Sequence, residues 1–145
     1  MMNVTLYTDG ACSGNPGKGG WAAILQCGEY VAEYSGAEYD TTNNRMELMA
    51  VIQGLSRLNM RCTVDVYSDS AYVVNAVQNK WLFDWQQNNW RTSAGKETKN
   101  VDLWTLLLSL MDKHDITFYK VAGHADNELN NRCDKLAVAA YNALK

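Results

Sequence analysis

Val4 to Thr8 alternates, with Val4 and Leu6 on one side and Thr5 and Tyr7 on the other. A two-residue period predicts a strand, and Asp9-Gly10 predicts its end. Gly14-Asn15-Pro16-Gly17-Lys18-Gly19-Gly20 reads as a turn cluster. Trp21 to Cys27 and Tyr30 to Glu38 read as two further strands, broken at Gly28. Three strands on short links predict an antiparallel meander.

The period then changes. Leu48, Val51, Ile52, Leu55 and Leu58 fall at helical spacing, with Asn43 or Asn44 as the expected cap. Thr63 to Ser68 reads as a strand ending in Ser68-Asp69-Ser70, and Ala71 to Asn79 as a helix. Lys80 to Lys99 is a polar insertion carrying tryptophans. Asn100 to Asp112 is a helix with Leu103, Leu106, Leu107 and Leu110, and Ile116 to Val121 a strand. Asp126 to Leu144 is a last helix with Leu129, Cys133, Leu136, Ala137 and Ala140 inward. Strands first, then alternating helix and strand, imply an α/β fold with a mixed sheet. One domain over 1–145, with an insertion protruding at about 80–99, is the simplest organisation.

Composition narrows the setting. A chain of 145 residues with 47% hydrophobic and 20% charged positions is that of a globular protein with a core. No apolar run is long enough to span a bilayer. The start, Met1-Met2-Asn3-Val4-Thr5, has neither the basic nor the apolar region of a signal peptide, so a cytoplasmic protein is expected. Cys12, Cys27, Cys62 and Cys133 form no CxxC pair, which argues for reduced thiols and against zinc. The net charge of −3 means that any nucleic acid must be met by a local surface.

Four carboxylates stand in awkward places. Asp9 and Asp69 each follow a predicted strand, where ligands gather in open α/β sheets. Each also follows a tyrosine by two residues, Tyr7 and Tyr67, so neighbouring parallel strands would deliver them side by side. Glu47 is followed at helical spacing by Ala50 and Gly54, small enough to let its helix approach a sheet. Asp134 shares a face with Ala137, Val138 and Tyr141. Each has an ordinary reading: a turn former, a cap for Asp69, or a dipole partner for Glu47. Four converging carboxylates instead repel unless cations neutralise them, and oxygen ligands select hard ions, magnesium or manganese.

His124, in a loop ahead of the last helix, is a candidate proton shuttle; a surface histidine is the ordinary alternative. His114 sits near a helix end, where a cation suits the dipole, and is assigned no function. The glycine cluster is not a phosphate loop, since Lys18 is followed by Gly19.

These residues lie in recognisable motifs. Thr8-Asp9-Gly10-Ala11-Cys12-Ser13-Gly14-Asn15-Pro16-Gly17, Thr41-Thr42-Asn43-Asn44-Arg45-Met46-Glu47-Leu48, Ser68-Asp69-Ser70, and Gly123-His124-Ala125 with Asn131-Arg132-Cys133-Asp134 resemble, in order, the four motifs of type 1 ribonuclease H. The resemblance implies a ribonuclease H-like fold, a five-stranded mixed sheet flanked by helices, in a free-standing enzyme of bacterial type. It implies an endonuclease that cuts the RNA strand of RNA–DNA hybrids, leaving 5′-phosphate and 3′-hydroxyl ends. Asp9, Glu47, Asp69 and Asp134 would hold two magnesium ions, manganese being a substitute. His124 would assist proton transfer or product release. Cys12, Asn15, Asn43 and Glu47 match positions that face the RNA strand, whose 2′-hydroxyls mark it, and Asn44 is counted with the nucleic-acid contacts. Thr42 and Asn100 match a pocket gripping a DNA phosphate. The 80–99 segment matches a basic protrusion whose aromatic residues line the DNA channel. There Trp81 and Trp85, four apart, could both face the strand, packing of the insertion onto the body being their ordinary alternative and the expectation for Trp90. No organic cofactor and no membrane are implied, and a monomer is the expectation.

Two departures stand out. Ala71 follows Ser68-Asp69-Ser70 where the family often has glutamine, so one contact to the RNA backbone is not carried over. The insertion is weakly basic: Lys80, Arg91, Lys96 and Lys99 against Asp84 and Glu97 leave two net positive charges. The alternatives are a silent hybrid-binding module, or another metal nuclease of the same superfamily such as an integrase or a junction resolvase. The first would expect a carboxylate replaced; the second would not expect the asparagine-rich motifs.

Overall fold

The structure, a computed structural model, describes residues 2–121 and 127–145. The elements follow as β1 (Met2–Cys12), β2 (Gly17–Cys27), β3 (Tyr30–Thr41), α1 (Asn43–Ser56), β4 (Cys62–Ser68), α2 (Ala71–Gln78), α3 (Trp81–Gln87), α4 (Val101–Met111), β5 (Asp115–Lys120) and α5 (Glu128–Asn142). The five strands form one sheet in the order β3-β2-β1-β4-β5. The pairs β1–β2 and β2–β3 are antiparallel, and β1–β4 and β4–β5 parallel. The mixed sheet expected from the order of elements is therefore present.

Each face of the sheet is covered. Leu48, Val51 and Leu55 of α1 are fully buried with Leu6, Val64 and Val66 of the sheet, and burying each stabilises by about 1.5–3 kcal/mol. A Cβ at Gly54 would meet Leu6 at 2.5 Å, so glycine lets α1 lie close on β1. On the other face, Cys133 and Ala137 of α5 pack on Ala22 and Ile24 of β2. A Cβ at Gly20 would lie 2.1 Å from the Ala137 carbonyl oxygen. Only a glycine there admits the helix that carries Asp134.

Boundaries differ from expectation where pairing overrides local signals. β1 does not end at Asp9-Gly10 but runs on to Cys12, because Ala11 and Cys12 pair with Gly20 and Gly19. Likewise β2 begins inside the glycine cluster at Gly17, and β3 extends to Thr41. The cap of α1 is Thr42, whose side chain accepts from the Arg45 N–H, not Asn43 or Asn44. In α4 the buried side chains are Leu103, Trp104 and Leu107, while Leu106 is exposed. His114 is not a solvated cation: it is buried, and its Nδ1 accepts from the Cys62 N–H at 3.2 Å. Burial, with Arg61 and Lys113 nearby, holds its pKa below the usual value.

Candidate active site

The site begins where β1 and β4 part. Their parallel pairing ends at Tyr7 opposite Tyr67, and a ladder of stacked rings marks that level: Tyr7 on Tyr67 at 5.6 Å and Tyr67 on Tyr119 at 5.1 Å. Two residues further, on the same faces, come Asp9 and Asp69. Asn130 of α5 bridges the splayed ends, its Nδ2 donating to the Thr8 and Tyr67 carbonyls at 3.5 and 3.4 Å. Asn130 stands one turn before Asp134, and that four-residue spacing is the sequence signal that would have singled it out.

Glu47 reaches the same point from α1. The helix touches β1 at Gly10, where a Cβ would lie 2.4 Å from the Glu47 nitrogen. Contact this close lets the Gly10 N–H donate to both Glu47 Oε1 and Asp9 Oδ1, the latter at 2.9 Å. Carboxylate oxygens of Asp9, Glu47 and Asp69 all lie within 4.8 Å of one another. Asp134 lines the same cavity of about 550 Å³, and its charge is felt at Asp9. The structure thus brings together the four carboxylates, three as a tight cluster.

The ordinary explanations fail for three of them. Ser70, not Asp69, caps α2 by accepting from the Val73 N–H, and Asp69 remains exposed. Glu47 lies past the first turn of α1, 4% exposed, too deep to serve only as a dipole partner. Asp9 sits inside a strand, 8% exposed. Burial, then the Asp69 charge, pushes Asp9 up to about 7. Burial, then Asp9 and Asp69, raises Glu47 well above the carboxylate range. Acidic groups held this unfavourably, with an all-oxygen donor set, fit hard divalent cations.

Amides and a thiol rim the cavity. Cys12, Asn43 and Asn44 line it, and Asn15 Oδ1 accepts from the Asn43 N–H at 3.1 Å, tying the β1–β2 turn to α1. Thr42 and Asn100 meet through Arg45. The Arg45 N–H is capped by Thr42, and its Nη1 donates to Asn100 Oδ1 at 3.1 Å. Its guanidinium also forms a paired bond with Asp102. Trp85 turns inward, edge-on to buried Trp104 at 5.8 Å, whereas Trp81 is 45% exposed. Trp85 is partly buried and packs on the body, as does Trp90, and Trp81 and Trp85 together line one surface groove. Tyr72 and Arg45, not singled out by the sequence, are parts of this rim. His124 lies outside the described residues.

Comparison with known proteins follows the same lines. The family model for RNase H matches residues 1–142. A ribonuclease H of Chlorobium phaeobacteroides (strain BS1) is 58% identical over 140 residues, 97% of this chain and 96% of its own. One of Acetivibrio thermocellus is 57% identical, covering 94% and 93%. Among solved structures, LC9-RNase H1, a type 1 RNase H with the type 2 active-site motif, superposes with a TM-score of 0.88 at 27% identity, over 100% of this chain and 74% of its own. LC11-RNase H1 in complex with an RNA/DNA hybrid shares the fold, with a TM-score of 0.70 at 22% identity, covering 96% of each chain.

Proposed function

The chain belongs to the ribonuclease H family, and on that premise we propose that it is an endonuclease hydrolysing the RNA strand of RNA–DNA hybrids with two magnesium ions. The observation that carries this reading is the convergence of Asp9, Glu47 and Asp69 within 4.8 Å in a cavity of about 550 Å³ that Asp134 also lines. Relatives bearing the ribonuclease H name across nearly their whole length support it, as does a neighbour of the same fold crystallised with such a hybrid.

Asp9, Glu47, Asp69 and Asp134 would hold the ions, which when bound supply an activated water and neutralise the departing 3′ oxygen, leaving 5′-phosphate and 3′-hydroxyl ends. The protein's own part is to hold carboxylates in register. The Gly10 N–H fixes the Asp9 and Glu47 oxygens, and Asn130 spans the carbonyls beside them. Cys12, Asn15, Asn43 and Asn44 read the RNA strand, where 2′-hydroxyls mark the sugar. Thr42 and Asn100 hold a phosphate of the DNA strand, and Trp81, with Trp85 behind it, borders its channel. His124 moves a proton or releases product. We infer a cytoplasmic monomer; among the described residues no helix is long and apolar enough to cross a membrane.

One labelled sequence, offered as hybrid, RNA duplex, DNA duplex and single-stranded RNA, with and without magnesium, tests the reading. Cleavage of the hybrid alone, only with metal, and lost in Asp9→Asn, is expected. A hybrid that is bound and never cut would make the protein a binding module, and cleavage of duplex DNA would make it another nuclease of the superfamily.

A further inference from the structure

Resting on the hybrid-cleaving reading above, we propose that the outer face of the Tyr119 ring stacks an unpaired base of the RNA strand where that strand runs out of the hybrid. A ladder of aromatic rings ends there, at a sheet edge beside the carboxylates. Tyr7, Tyr67 and Tyr119 stand on adjacent strands β1, β4 and β5. Their centroids are 5.6 and 5.1 Å apart and their planes are inclined by 18° at each step. At one end the ladder is closed, because Tyr7 packs on the cluster of Ala22, Ile24, Cys133 and Ala137 where α5 meets β2. At the other it is open, because β5 is an edge strand and Tyr119 is 41% exposed. Cross-strand pairing of rings stabilises a sheet, which accounts for the inner contacts. It leaves the outer face of Tyr119 with no ring stacked on it among the described residues.

The ladder adjoins the carboxylates. Two residues beyond each tyrosine, at the same parity along its strand, come Asp9, Asp69 and Val121, and all three line the cavity. Two residues of strand span about 7 Å, so the rings are within reach of the nucleotides that flank the cut. The DNA strand is gripped elsewhere: Thr42 and Asn100 precede α1 and α4, helices that pack on the opposite face of the sheet. Bases inside a hybrid are already stacked on one another, so the flat ring that continues the ladder is an unpaired base, and aromatic stacking accepts any of them. Asp65, two residues before Tyr67, repels phosphates below the ladder, which confines the platform to the nucleotides nearest the cut.

Blunt hybrids and hybrids whose RNA strand carries a few unpaired ribonucleotides at its 5′ or 3′ end test this, with cleavage read bond by bond from the junction. At one end the overhang should lower the wild-type KM about tenfold with kcat little changed, the scale of one stacked base. In Tyr119→Ala the overhang should bring no gain, and in Tyr119→Trp the gain should persist. Each comparison is made within one protein, so a general loss of folding or activity cancels. Abasic riboses in the overhang should erase the wild-type gain, which separates stacking from a phosphate contact, and unpaired nucleotides on the DNA strand should bring none. No gain at either end, a gain that survives Tyr119→Ala or abasic substitution, or an equal gain from the DNA strand overturns the proposal. A wild type that leaves every hybrid uncut would instead refute the reading on which this rests.

Discussion

At Asp9, one oxygen's surroundings decide both stability and chemistry. Its folded pKa of about 7 lies above the ordinary aspartate value near 3.9. Being raised, it contributes stability below pH ~4 that is lost as pH climbs through ~7. Metal-free Asp9→Asn should therefore be more stable than wild type at pH 8, by on the order of 2–4 kcal/mol, with little gain near pH 4. Magnesium should shrink the gain at pH 8 by stabilising the wild type. Thermal melts across pH check this, and a gain independent of pH would contradict it. His114 has the opposite sign. Its lowered pKa means that its stabilisation is complete above ~6.5 and lost as pH falls through the folded value. His114→Ala strands the Cys62 N–H and should cost about 1–3 kcal/mol at pH 7.5. The deficit should narrow in acid, as denaturant titrations at both pH values would reveal. Neither residue's state was legible beforehand: a histidine in Asp112-Lys113-His114-Asp115 looks solvated, and only the docking of Cys62 over it makes it neutral.

Elements were legible wherever a period ran long enough. The helical stripe from Leu48 to Leu55 and the alternation from Val4 to Thr8 located α1 and β1, and their order implied the mixed sheet. Ends were not legible, because partners far along the chain set them. Asp9-Gly10 has the composition of a turn, yet β2 pairs with it and continues the strand. The carboxylate cluster was readable through parity and spacing, but the amide bridge of Asn130 and the Tyr72–Asn100–Arg45 network depend on tertiary approach. Approach also makes Gly10 indispensable. In Gly10→Ala the new Cβ would sit 2.4 and 2.5 Å from backbone atoms of Glu47 and Met46, which no rotamer change relieves. Displacing α1 should cost about 3 kcal/mol or more and carry Glu47 away from Asp9. Activity should fall at least a hundredfold even at temperatures where the variant stays folded. Circular dichroism and hybrid cleavage on one sample test this, and full activity in a folded Gly10→Ala would refute it.

For the whole molecule, affinity must come from a limited set of cations. The net charge is −3, and Gln86 and Gln87 of α3, both exposed, are neutral where the resemblance places basic residues. Hybrid binding should be weak and its salt dependence shallow, since each phosphate neutralised adds about one to the slope. Gln86→Lys/Gln87→Lys should tighten binding and steepen the slope by up to about two, read from affinity against salt. Identical slopes would show that α3 does not face the backbone.

The start of α1 has a consequence for substrate choice. Thr42 caps that helix and Glu47 lies five positions on, so at 1.5 Å per residue the proposed phosphate grip and the proposed cutting edge would stand about 7.5 Å apart along the axis of α1. The two work as the jaws of a caliper locked at a single setting, further braced where Arg45 clasps Asp102 on α4. On that reading, a double helix whose groove is too wide or too narrow would fill one jaw but not both. On the function proposed above, such an instrument would reject the wrong duplex by its width before any sugar is inspected, and lengthening α1 by one residue between the jaws would reset the gauge.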